Sequence, residues 1–204
     1  RTSGAVLWNI NWNYTPTDTR FSSTGFLYLG VGPFIVSVDG TNGSLEWYRY
    51  FGSNITGRPA VPNNGYVYFP VAGYVYAFDA FTGDYRWNRF IGTATQLVGV
   101  GSNANGHRVV ATTATGRVQQ LNATSGATIC TTTLGGSFSQ RGVGDGTNFN
   151  FYATNSGNGR TYRINQNCGV VWSTVTGSSP NGLPSLINNN LYVPSIGTLY
   201  SYRK

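Results

Sequence analysis

A glycine followed at a fixed distance by a large apolar side chain recurs five times along this chain, and that recurrence constrains the fold more than any other feature. Three copies are clear: Thr2-Ser3-Gly4-Ala5-Val6-Leu7-Trp8, Thr41-Asn42-Gly43-Ser44-Leu45-Glu46-Trp47 and Phe81-Thr82-Gly83-Asp84-Tyr85-Arg86-Trp87. Two are degenerate: Thr124-Ser125-Gly126-Ala127-Thr128-Ile129-Cys130, and Cys168-Gly169-Val170-Val171-Trp172, which is one residue short. The glycines stand 39, 40, 43 and 43 residues apart, and counting from Gly169 past residue 204 back to Gly4 adds a last interval of 39. A period of this length marks a repeat architecture, and here its phase carries across the two termini.

Each motif follows a segment with the period-2 alternation of a strand: 34–39, 73–79, 116–122, 159–165 and 197–203. In four repeats an Asp or Asn (Asp39, Asp79, Asn122, Asn165) precedes the glycine by four residues. Such side chains accept hydrogen bonds from backbone amides two residues on and close a turn, and the glycine takes the positive φ. Another strand lies upstream in each repeat, at 25–30, 65–69, 107–112, 148–153 and 190–193, and before it a shorter Gly/Pro-rich one, as at 58–61. Four strands in about forty residues make one propeller blade. The pattern predicts an all-β, five-bladed β-propeller of four-stranded antiparallel blades, a single domain over 1–204. The fifth blade is split between the termini. Pairing strand 3–8 with strand 197–203 closes the ring and removes the free sheet edges.

The Asp-x-x-Thr-Gly-x-x-x-Trp pattern after an alternating strand resembles the repeat of quinoprotein-type (PQQ-like) β-propellers, most closely over residues 39–47 and 79–87. In that family the tryptophan lies flat on the glycine region of the next blade. The resemblance therefore implies that Trp8, Trp47, Trp87 and Trp172 fasten blades together, each burying a large aromatic face. Enzymes of the family resemble seven- or eight-bladed rings, and no segment here matches their quinone or calcium ligands. Cys130 stands where the fourth motif has lost its tryptophan, and Cys168 immediately precedes the glycine of the fifth. If the docking position of one motif meets the glycine of the next, the two cysteines face each other, and a disulfide replaces the missing dock. The alternative is two unrelated buried thiols.

Composition favours an extracellular setting. Only 9% of residues are charged and 15% are aromatic, in keeping with a β protein rich in small polar residues. The chain has no methionine, even at its first residue, which predicts a processed mature chain. Four sequons, at Asn13, Asn42, Asn54 and Asn122, permit glycosylation of a secreted chain. The net charge of +7 is dispersed from Arg1 to Lys204, which suits solubility and weak attraction to acidic polymers. Nucleic-acid binding calls for a clustered patch that the sequence lacks. No apolar run approaches the length of a transmembrane segment.

Catalytic chemistry is thinly supplied. The one histidine, His107, lies at a strand edge, no serine sits in a Gly-x-Ser-x-Gly frame, and one His with two distant Cys makes no zinc set. Asp39 and Asp79 have turn roles, while Asp18, Glu46, Asp84 and Asp145 occupy non-equivalent places in the repeat. No metal and no cofactor are expected, and the chain reads as a non-enzyme. Two weaker constellations remain. Arg20, Arg58 and Arg141 each open an innermost strand, and converging guanidiniums would make an anion site at the channel mouth; the alternative is pairing with Asp18 and Asp145 nearby. Tyr74, Arg117 and Arg160 follow the glycine that opens the third strand on successive blades, a candidate contact surface.

These features point to a secreted or surface-exposed β-propeller serving as a rigid interaction module, such as a subunit of an extracellular assembly, with other proteins or copies of itself as partners. A lectin-like or anion-binding domain is the alternative. A quinone-dependent oxidoreductase rests on fold analogy alone, a poor guide to function.

Overall fold

The computed structural model describes residues 4–55, 57–92, 94–103, 106–138, 142–146, 148–177 and 183–204. Among them every regular element is a strand, and every pairing is antiparallel. The first sheet holds β1 (Arg20–Phe21), β2 (Phe26–Val31), β3 (Phe34–Asp39) and β4 (Leu45–Tyr50). The second holds β5 (Tyr66–Val71), β6 (Tyr74–Asp79) and β7 (Tyr85–Phe90). The third holds β8 (Ala94–Asn103), β9 (Gly106–Thr113), β10 (Arg117–Asn122) and β11 (Thr128–Thr133). The fourth holds β12 (Val143–Gly144), β13 (Phe151–Asn155), β14 (Arg160–Ile164) and β15 (Val170–Val175). The fifth holds β16 (Ser185–Ile187), β17 (Asn190–Ser195) and β18 (Thr198–Arg203). Strands succeed one another in chain order within each sheet, so each repeat is a meander.

The motif turns form as their side chains dictate. Asp39 Oδ1 accepts the Thr41 amide at 2.7 Å, and Asp79 Oδ1 accepts those of Phe81 and Thr82 at 3.0 and 3.1 Å. Asn122 and Asn165 do the same in the third and fourth sheets. Just beyond each turn the ladder to the outermost strand skips one residue: between Ser37 and Val38, Ala77 and Phe78, Gln120 and Leu121, and Arg163 and Ile164. A bulge repeated at one place is a shaped feature, and it aims the docking residue across to the next sheet.

The core lies between sheets. Tyr28, Ile35, Trp47, Val67, Phe69 and Phe78 fill the space between the first and second sheets. Tyr68, Trp87, Val109 and Leu121 join the second to the third, and Val110, Phe138, Phe151 and Ile164 the third to the fourth. Tyr152, Trp172, Leu191 and Tyr202 join the fourth to the fifth. The other face of the first sheet (Leu27, Leu29, Val31, Val36, Val38) is covered by Trp8, Ile10 and Trp12 from the N-terminal segment.

The architecture differs from expectation at two places. Segment 4–15 forms no strand, and β18 is hydrogen-bonded to β17 alone, so the expected ladder between 3–8 and 197–203 is not formed among the described residues. The second sheet has three strands, with the Ala60–Tyr68 bridge in place of its innermost one. The sheets thus hold 4, 3, 4, 4 and 3 strands in chain order. The N-terminal segment is held instead against the first sheet, by the packing of Trp8, Ile10 and Trp12.

Candidate functional site

The docking residues sit where the repeat places them, with one exception. Trp47 lies on Gly83, Trp87 on Gly126 and Trp8 on Gly43, each so closely that a Cβ on the glycine would stand 2.5–2.8 Å from the indole. The indole nitrogens donate to turn carbonyls: Trp8 to Gly40 at 3.2 Å, Trp47 to Ala80 at 3.0 Å and Trp87 to Ala123 at 3.1 Å. Tyrosines from the second strands reach the same oxygens, Tyr28 to Ala80 at 2.9 Å and Tyr68 to Ala123 at 2.8 Å. Burial pushes both phenols above their usual range, with neighbouring hydrogen bonds opposing it. Between the third and fourth sheets Cys130 and Cys168 are joined by a disulfide, and Arg108 donates to the Gln166 carbonyl at 2.5 Å. Trp172 is the exception. It packs against Tyr202 at 5.6 Å, and nothing lies within contact of Gly4.

The arginines expected at the inner strands are not level with one another. Arg20 pairs across from Tyr28, whereas the residue across from Tyr68 is Ala60, so Arg58 matches Asp18 in register. Its Nε lies 2.7 Å from Asp18 Oδ2, the pairing that competes with an anion site. Arg20 stays close by; its pKa is lowered by burial and then by Arg58, with Asp18 opposing. Arg141 lies outside the described residues. Tyr74, Arg117 and Arg160 do share one place, at the start of the third strand opposite the end of the fourth, with Phe34 as the equivalent in the first sheet. Their surroundings differ. Tyr74 packs on Phe90 at 5.1 Å, while Arg160 bonds Ser173 Oγ at 2.8 Å.

The carboxylates are occupied. Asp79 binds Arg86 at 2.7 Å; burial alone would raise this carboxyl, yet Arg86 and the turn amides together hold it below the usual range. Asp84 faces Arg49 at 3.6 Å, and the buried Asp145 binds Lys204 at 2.7 Å. His107 is half-buried, and among the described residues no group of three or more metal-ligating side chains forms. Asn13, Asn42 and Asn54 are exposed, while Asn122 is half-buried in its turn.

Sequence reasoning missed what surrounds β18. Among the described residues it is paired with β17 alone, with Leu199 66% exposed, and on the fourth sheet Tyr152 is fully buried with no described hydrogen-bond partner for its hydroxyl. Apolar and aromatic side chains stand out along the outer strands as well: Tyr48, Tyr50, Tyr85, Phe90 and Val175. Between the N-terminal segment and the first sheet runs a groove of about 280 Å³ lined by Trp12, Tyr14, Phe34 and Tyr48. The signal for the Tyr152 hydroxyl was present in the sequence, as the third tyrosine in a series with Tyr28 and Tyr68, but only the interface gives it meaning.

A protein-family model described as "Outer membrane protein assembly factor BamB", of PQQ-like repeats, matches residues 1–204. No curated protein matches the sequence. Among solved structures, BamB from Moraxella catarrhalis, a β-propeller, is similar over 98% of this chain and 62% of that one, at 19% identity and TM-score 0.74. The computationally designed Ika8 protein is similar over 93% and 58%, at 14% identity and TM-score 0.75. U3-55K is similar over 98% and 63%, at 9% identity and TM-score 0.80. At these identities the likeness is one of fold. The chain spans about three fifths of the length of each of these structures.

Proposed function

The chain belongs to the PQQ-like repeat family whose model is described as outer membrane protein assembly factor BamB, and on that premise we propose that it is a non-enzymatic, rigid interaction scaffold working outside the cell as part of a larger assembly. The observation that carries this reading is that β18 is paired with β17 alone among the described residues, with Ile196 and Leu199 exposed beside it. An unpaired strand presents a row of backbone donors and acceptors, a template for another strand. In the sequence the matching strand is 3–8, so the reading includes a fifth blade completed by 3–8 along 197–203. That pairing is the one that would close five blades into a ring. Exposed rings on the outer strands give the rim an apolar contact surface of the kind protein partners use. A disulfide and a low charge content favour an oxidising, extracellular compartment. The anion- or glycan-binding alternative has less to stand on, because Arg58 is engaged by Asp18.

NMR-resolved hydrogen exchange of the native protein tests the reading. A strand paired on one side has its amides bonded alternately, and one paired on both sides has successive amides bonded. Slow exchange at consecutive amides across 198–203 is the expected result. Protection at every second amide alone would mean a free edge and would sink it.

A further inference from the structure

We infer that the rim between the first and second sheets receives a proline-rich segment of a partner protein, held in the polyproline II conformation. This rests on the scaffold reading and names the chemistry of one partner.

Residues paired across an antiparallel ladder point to the same side of a sheet. On β6, Tyr74, Tyr76 and Phe78 share one side, and their partners on β7 are Phe90, Asn88 and Tyr85. Phe51, which follows β4, lies 4.8 Å from Tyr76 and 6.1 Å from Phe78, so this side faces the first sheet. Its inner part is core, where Phe78 is buried with Trp47 and Phe69. Its outer part emerges at the rim: Tyr85 is 55% and Phe90 63% exposed, Asn88 is exposed, and Tyr74 and Tyr76 are half-buried.

Packing between sheets does not require these rings. At the positions of Tyr74, Tyr76, Tyr85, Asn88 and Phe90 the third sheet has Arg117, Gln119, Thr128, Thr131 and Thr133. It is joined to the second sheet all the same, through Tyr68, Trp87, Val109 and Leu121. Aromatic rings that one repeat keeps and the next dispenses with are surplus to the fold.

The shape of the surface selects its occupant. Neighbouring rings meet steeply, at 50° for Tyr74 and Tyr76, 64° for Tyr74 and Phe90, 73° for Phe51 and Tyr76, and 72° for Phe78 and Tyr85. Phe78, which is near parallel to Tyr76 at 12°, is buried. Upright rings make slots that take a pyrrolidine ring, whereas a sugar stacks on a flat, open ring face. The hydroxyls of Tyr74, Tyr76 and Tyr85 and the amide of Asn88 form no hydrogen bond among the described residues. A polyproline II helix makes no internal hydrogen bonds, so its carbonyls can accept from them, and proline brings no N–H that would need an acceptor. The carbonyls of an α-helix are already taken. Charge agrees with this occupant: Arg49 faces Asp84 at 3.6 Å and Arg86 binds Asp79 at 2.7 Å, which leaves the slots neutral for an uncharged segment. From Phe78 to Tyr74 the strand runs about 13 Å, the length of about four polyproline II residues.

NMR titration of the isotope-labelled full chain, with its native disulfide, tests this against blocked decaproline. A blocked decapeptide of alternating Gly and Ser and the neutral glycan maltohexaose serve as comparisons. Saturable shifts confined to residues 74–78, 85–90 and Phe51 are expected with decaproline alone. Tyr74→Arg combined with Phe90→Thr installs the residues that the third sheet carries there, and is expected to weaken binding about tenfold with the rest of the spectrum in place. The exposed Tyr85→Thr provides a second variant should that one misfold, with binding again expected to weaken. No saturable shift with decaproline, shifts on another surface, or equal shifts with the Gly-Ser peptide overturn the inference. Shifts here with maltohexaose in place of decaproline would make the rim a glycan site and overturn it as well. None of these outcomes alters the amide exchange of 198–203, on which the scaffold reading stands or falls separately.

Discussion

At the scale of single residues, the repeat is an economy of glycine and indole. Gly83 holds φ at 66°, and a Cβ there would stand 2.5 Å from the Trp47 ring. Gly83→Ala meets two penalties together, a left-handed backbone and an overpacked dock, which come to about 2–4 kcal/mol. Urea unfolding of the variant measures this loss; an unchanged midpoint would mean that the indole does not rest on the turn. The glycine and the tryptophan were both legible from spacing alone. The two tyrosine hydroxyls on the Ala80 and Ala123 carbonyls were not, because a tyrosine within an apolar run reads only as core. A polar tip finds its partner in a neighbouring sheet some fifty residues away, and no local pattern carries that distance.

Among elements, the interfaces between sheets are variations on one design. Three use tryptophan, and the third-to-fourth interface uses a disulfide between residues 38 apart. The chain-entropy account gives such a cross-link about 4 kcal/mol. The Cys130→Ser and Cys168→Ser double variant is expected to lose most of that in denaturant unfolding. Its spectroscopic change should be confined to the third and fourth sheets, and a loss spread evenly over all five would count against a local fastener. The pairing of these cysteines followed from the docking geometry that the family resemblance implies, applied to the aligned repeats. Strand boundaries were equally legible, since Asp39, Asp79, Asn122 and Asn165 each announce a turn. The innermost strands were legible only in part. Arg20 and Arg58 looked equivalent in the sequence, yet register sets Arg58 beside Asp18. Short Gly/Pro-rich segments carry too little alternation to fix a two-residue shift, and such a shift decides whether two cations meet or one pairs with an acid.

For the molecule as a whole, stability should form a plateau bounded by two kinds of group. Asp39 is held below the usual carboxylate range by its Thr41 contacts, and Asp79 by Arg86 and turn amides against the effect of burial. Their contribution is present above about pH 4 and is lost as pH falls through the lowered folded-state values. Tyr28, Tyr68 and Tyr152 are raised by burial. The unfolded chain therefore ionises first above about pH 10, and stability falls from there upward. Melting temperature against pH checks both limbs, and Tyr68→Phe should flatten the alkaline one; a limb unchanged by that variant would mean these phenols do not govern it. The sequence by itself determined the number of repeats, their turns and the all-β class, because these follow from period, from glycine and from side chains that act on their own backbone; the docking residues came from the family resemblance. Only the tertiary structure decided that the N-terminal segment lies against the first sheet and which hydroxyls reach the turn carbonyls of a neighbouring sheet. That outcome rests on side chains that interdigitate between elements far apart in the chain, and such packing leaves no mark in a one-dimensional period.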